Sequence, residues 1–181
     1  MAEQTNVLIN LANSLLPVEK LVTGAAYIIG IIFAMKAIML LKSHADSRGQ
    51  GGQGGLKEPF VYFIVAGMLI YFPTGFEILM NTTFGYPTVL SYSSMSSNST
   101  LINALFAPGN DMGSALALII QVLGVFAFVK GWLMIAKASS GGQSSGAGNT
   151  GKGLMHVFGG ILAMNIIGTL QVISNTLYGS N

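Results

Sequence analysis

Of the 181 residues, 51% are hydrophobic and only 8% are charged, where a soluble domain carries about 25% charged residues. So few charges cannot cover a water-facing surface, and so much apolar content excludes a disordered chain. The chain has no cysteine, which excludes a disulfide framework, a thiol nucleophile and a thiolate metal site. Eight basic against six acidic residues leave no concentrated basic face for nucleic acid, and no direct nucleic-acid binding is expected.

Taken in chain order, the first element is a leader over residues 1–17. Within it the short apolar stretch LINLANSLLP is expected either to lie along a membrane interface or to be a flexible lead-in. Met1 to Asn6 contains no basic residue, so a secretory signal peptide is not expected. Four apolar segments follow: Leu21 to Leu41, Phe60 to Met80, Met112 to Ala136 and Gly153 to Ile173. Each reaches the roughly 20 helical residues needed to cross a hydrocarbon core about 30 Å thick. The fourth is the most interrupted, by His156, Asn165 and Gln171, and the second contains Pro73 and Glu77.

The connections differ. Ser43 to Pro59 and Ala138 to Lys152 are glycine-rich, whereas Asn81 to Asp111 is long, rich in Ser, Thr and Asn, and has no Lys or Arg. Lys42, Arg48 and Lys57 lie at the first connection, and Lys137 and Lys152 bound the third. The positive-inside rule then puts these two in the cytoplasm, and both termini and the middle connection outside.

The chain aligns with itself at a shift of 93 or 94 positions. Gly30 meets Gly124, Lys36 meets Lys130, Gly67 and Gly75 meet Gly160 and Gly168, and Asn81-Thr82 meets Asn175-Thr176. Two crossings per copy give both copies the same orientation, a parallel repeat. The expected architecture is therefore all-α and integral to the membrane: four transmembrane helices as two tandem hairpins. A first hairpin over 18–85, a polar external connection over 86–111 and a second hairpin over 112–181 follow the leader. Gly67, Gly75, Gly160 and Gly168 are the candidate helix-packing positions, because small residues let membrane helices approach closely.

The sequence offers little chemistry. Lys36 and Lys130 lie inside apolar helices, six or seven residues before the helix-ending Lys42 and Lys137. These four lysines are candidates for lipid or subunit contact; each of the inner two can also simply snorkel to the inner phosphates. Glu77 has no basic residue at its depth and pairs in the repeat with Gln171. The run GAGNTGKG, Gly146 to Gly153, has phosphate-loop spacing, but Gly153 replaces the magnesium-binding hydroxyl and no strand precedes it. His44 and His156 belong to no set with metal spacing. Asn81-Thr82-Thr83 and Asn98-Ser99-Thr100 fit the glycosylation pattern only weakly. No catalytic group, cofactor or metal site is expected, and the chain is not expected to be an enzyme.

The stretch FAMKAIMLLKSHADSRGQGGQGGLKEPFVYFIVAGMLIYFPTGFEIL resembles the small integral-membrane proteins of type IVB secretion and IncI-type conjugation systems, the IcmC/DotE group and its conjugative counterpart TraQ. A glycine-containing helix ends in a Lys-Ser-His turn, and a proline then leads into a helix ending in Phe-Pro. Lys36 to Pro73 carry the likeness. The second half departs from it: no proline in the fourth segment and no acidic residue in the third connection. The resemblance implies a structural component of an export apparatus in the bacterial inner membrane, with phospholipids and other secretion or conjugation subunits as partners. Conjugative pilins resemble one such hairpin, so a second reading is a duplicated pilin-like subunit, a homo-oligomer or filament with bound lipid in an extracellular pilus. A small channel or transporter is a third.

Overall fold

A computed structural model describes residues 2–47, 56–72, 74–75, 78, 81–82, 111–140 and 147–179. Among these residues stand five helices, α1 (Ala2–Ser47), α2 (Lys57–Ile70), α3 (Asp111–Ser139), α4 (Ala147–Met164) and α5 (Ile166–Tyr178). The all-α expectation therefore holds for the described residues. Pro73, Glu77, most of the middle connection and much of both glycine-rich connections lie outside them.

Among the described residues two helices are long and apolar enough to cross a membrane, over Lys20–Asp46 of α1 and Ala115–Ser139 of α3. They correspond to the first and third expected segments. α1 is a single helix of 46 residues with Pro17 inside it, so the position that closes the expected leader is internal to α1. Lys137 in the last turn of α3 complements the negative end of the helix dipole.

The second segment, where Pro73 predicts a kink, and the fourth each hold shorter helices than α1 or α3. α2 has 14 residues, about 21 Å at the usual rise, against a core of about 30 Å. Pro59 stands in its first turn, where a missing N–H costs nothing, and Tyr71 caps its end with a turned backbone. In the fourth segment Asn165 (φ −117°, ψ 57°) leaves the helical region, and α4 and α5 meet there at 90°. Counted together they are at most one further span, giving up to three by length and composition.

The break at Asn165 is built rather than frayed. Asn165 Oδ1 accepts from Gly168 N–H at 3.1 Å, Thr169 N–H donates to the Asn165 carbonyl at 2.9 Å, and Thr169 Oγ1 donates to the Leu162 carbonyl at 2.9 Å. An unpaired backbone group in hydrocarbon costs several kcal/mol, and these contacts answer the groups that the bend frees. Asparagine is among the best N-cap residues, so the cap also starts α5. At the far end Gly179, at φ 78° and ψ 150°, takes a positive-φ backbone that favours glycine and donates its N–H to the Asn175 carbonyl.

The described chain forms two compact units. One gathers Met1–Leu21, Phe76–Phe126 and Gly159–Asn181, the other Val22–Gly75 and Ala127–Phe158. In the first, Ala117 of α3 and Ile167 of α5 are buried together with Leu116, Ile166 and Leu170 around them. In the second, Phe128 is fully buried, with Phe72 at 5.4 Å and Trp132 at 6.2 Å between ring centroids.

Candidate functional site

Helix pairing sets where the candidate side chains fall. A Cβ built on Gly30 would lie 3.0 Å from Ile70 N and 3.2 Å from Ala66 O, so α1 and α2 meet there backbone to backbone. A Cβ on Gly124 would lie 2.7 Å from Met164 N and 2.8 Å from Gly160 O, and one on Gly131 2.7 Å from both Gly153 O and Val157 N. Gly124 and Gly131 are seven residues apart on α3, as are Gly153 and Gly160 on α4. Seven residues are close to two helical turns, so each pair lies on one face.

The first helix pair carries the same register. Adding 94 to Gly30, Ala37, Pro59 and Ala66 gives Gly124, Gly131, Gly153 and Gly160, and Ala37, Pro59 and Ala66 are all buried. The same offset carries the end of α2 at Ile70 onto the end of α4 at Met164. α2 ends shortly before Pro73, and α4 ends at Met164 with no proline after it.

Of the four glycines singled out in the sequence, Gly160 lies in this tight contact. Gly168 is used as a backbone donor to the Asn165 cap. Gly67 faces open space, and Gly75 would meet only the Met68 methyl at 4.0 Å. Gly131 and Gly153 were not distinguished in the sequence as packing positions; their signal is the seven-residue spacing of small residues on facing helices.

Lys36 is positioned by this α1–α2 contact. Its Nζ donates to the phenol oxygen of Tyr62 at 2.7 Å and stands 4.3 Å from the ring centroid. Tyr62 is buried and its ring is held edge-on to Phe33, with centroids 5.3 Å apart and planes at 84°. Lys36 itself is exposed. An ammonium has three N–H donors, and a phenol that accepts one can still donate its own hydrogen. The pair therefore leaves two ammonium hydrogens of the exposed Lys36 for an oxyanion beside an apolar helix. Sequence reading missed Tyr62, whose role depends on the α1–α2 register.

The second helix pair does not repeat this contact. The position 94 residues after Tyr62 is His156, whose Nδ1–H donates to the Lys152 carbonyl at 2.8 Å. Lys42, Lys130 and Lys137 are exposed. The phosphate-loop-like run lies in α4 from Ala147 onward, so those backbone groups serve a helix. Among the described residues no three His, Asp or Glu side chains come together as a metal site.

The described fold is that of a helical protein with apolar helices of membrane-crossing length. Comparison with protein-family models, curated proteins and solved structures gave no match.

Proposed function

We propose that this chain is a non-enzymatic structural subunit in the inner membrane of a bacterial type IV secretion or conjugation apparatus of the IVB-like kind, and that it uses Lys36 to hold lipid phosphate at the inner leaflet. The observation that carries the site is the Lys36–Tyr62 contact at 2.7 Å. Snorkelling needs no partner on a neighbouring helix, whereas this ammonium is oriented by a buried phenol. The apparatus rests on the resemblance over Lys36 to Pro73. The shared offset of 94 supports reading the two helix pairs as a tandem duplication, with four segments inserted and both termini outside.

Complementation of transfer activity with Lys36→Met, Lys130→Met and the double change, at matched membrane levels, tests the site. Lysine binds phosphate as a point charge, so Lys36→Arg should retain part of the activity. Tyr62→Phe, which keeps the ring but removes the acceptor, should fall between wild type and Lys36→Met. If snorkelling were the whole explanation, methionine would ease insertion by up to about 3 kcal/mol, and the double variant would transfer normally. Full activity of the double variant overturns the lysine assignment.

Orientation has its own test. A cysteine at Ser94 should react with an impermeant thiol reagent on intact spheroplasts and one at Ser144 should not, against a native background of no cysteine. Labelling in the opposite sense reverses the topology.

One observation favours the pilin reading as runner-up. Only 17% of the membrane-crossing window of α1 is buried, against 39% for α3, which leaves much of α1 for lipid or for further copies of the chain. Recovery of the protein as the main subunit of sheared surface filaments, rather than in detergent-extracted inner membrane, would select that reading.

A further inference from the structure

The segment after Asn165 carries a second surface. We propose that α5 is an in-plane membrane helix that binds the bilayer interface, with Ile173 and Leu177 inserted among the acyl chains just beneath the head groups and Gln171 and Asn175 in water. This rests on the reading of α3 as a membrane span.

Three observations place α5 at that depth. It leaves α4 at 90°, so if α4 runs across the bilayer, α5 runs along it. It packs through Ile166, Ile167 and Leu170 on Leu116 and Ala117, in the first turn of the span Ala115–Ser139, which is where that span meets the interface. It is also 13 residues long, about 20 Å, too short for a core of about 30 Å.

Distribution of side chains around α5 fits the same orientation. At about 100° per residue, Ile173 and Leu177 form one row, and Gln171 and Asn175 form another roughly opposite. All four are exposed. Ile167 and Ser174, both buried, lie on the flank between those rows, facing the protein. A helix lying beside a span needs this arrangement: protein on one flank, hydrocarbon below and water above. α5 contains no Asp, Glu, Lys or Arg, so apolar burial supplies the attraction, and neither anionic lipid nor low salt is required.

The test uses the full chain with single cysteines at Gln171, Val172, Ile173, Asn175, Thr176 or Leu177, each carrying a nitroxide, with Leu123 on α3 as the reference. The proteins are reconstituted in phosphatidylcholine vesicles with and without phosphatidylglycerol. Accessibility to oxygen and to a water-soluble relaxation agent reports depth. The expected pattern is oxygen-dominated and equal in depth at Ile173 and Leu177, water-dominated at Gln171 and Asn175, and unchanged by salt or by lipid charge. Because the signal is a pattern over six exposed sites, one misfolded variant does not decide it. A steady change of about 6 Å in depth over each four-residue step means that α5 crosses the core, and overturns the proposal. Water-dominated values throughout α5, with Leu123 deep, mean that α5 stands off the membrane and overturn it while α3 remains a span. A pattern lost in salt refutes apolar binding. If Leu123 also reports water, the membrane reading falls, and this proposal with it.

Discussion

Replacing Gly131 with alanine should separate α3 from α4, while the same change at Gly67 should leave the protein intact or slightly more stable. A Cβ at residue 131 would sit 2.7 Å from Gly153 O, Val157 N and Val157 Cγ2. Two of these three are backbone atoms, so no rotamer change relieves the overlap. The helices must part, and their dispersion contacts fall away quickly with distance. Overpacking of this kind costs about 1–3 kcal/mol, and Gly131→Leu should cost more and abolish the pairing. Gly67 has nothing within 4 Å, so alanine there adds no contact and removes a helix-interior glycine, a gain of about 0.5–1 kcal/mol. Thermal unfolding midpoints of the purified variants in detergent make the comparison. Equal midpoints for Gly131→Ala and wild type would rule out the close α3–α4 approach.

The contrast between these two glycines shows where sequence reading stops. Apolar runs and low charge identify α1 and α3, because a long hydrophobic run has few alternatives to a membrane helix. A repeat near 94 residues is legible from Gly30/Gly124 and Lys36/Lys130. The choice between 93 and 94 is not, because Gly67 aligns well with Gly160 by residue type alone. Contact geometry instead places Ala66 opposite Gly30 and Gly160 opposite Gly124, making the offset 94 at both. Which glycine faces a neighbour depends on rotation about the helix axis, and a one-residue slip turns the helix by about 100°. The Lys36–Tyr62 contact was hidden for the same reason. Lys36 is conspicuous as a charge in an apolar run, whereas Tyr62 is an ordinary aromatic until the register is known.

The return segments show a different limit. Pro73 advertises an interruption in the second apolar segment, and no proline marks the fourth. Asn165 reads there as one more polar residue that lowers hydropathy. Its cap function depends on Gly168 three residues on and Thr169 four residues on, a local pattern that a window of about 20 residues averages away. Both return helices nevertheless end at equivalent positions, Ile70 and Met164. These two helix ends lie 94 residues apart in sequence, with different residues following them.

Asn165→Leu should therefore straighten the fourth segment. Leucine favours the helix interior and cannot accept from Gly168 N–H, so the substitution removes the side chain that holds the bend. Loss of an N-cap costs about 0.5–2 kcal/mol, and a continuous helix recovers intrahelical bonds for the groups that the bend had diverted. Nitroxides at Gly159 and Leu177, both exposed, measure the result. At 1.5 Å per residue and a right angle at residue 165, the backbone separation is about 20 Å; a continuous helix gives about 27 Å. Pulsed electron-resonance distances should lengthen by roughly that 7 Å difference. Asn165→Asp retains an acceptor for Gly168 and should keep the short distance, so the pair separates loss of the cap from the mere presence of a substitution. Thr169→Val removes the hydroxyl bond to Leu162 but leaves the Asn165 cap, and should give a mixture of the two distances. An unchanged distance in Asn165→Leu would mean that packing of Ile167 on Ala117, and not the asparagine, fixes the bend. Ile167→Ala would then be the substitution that releases it.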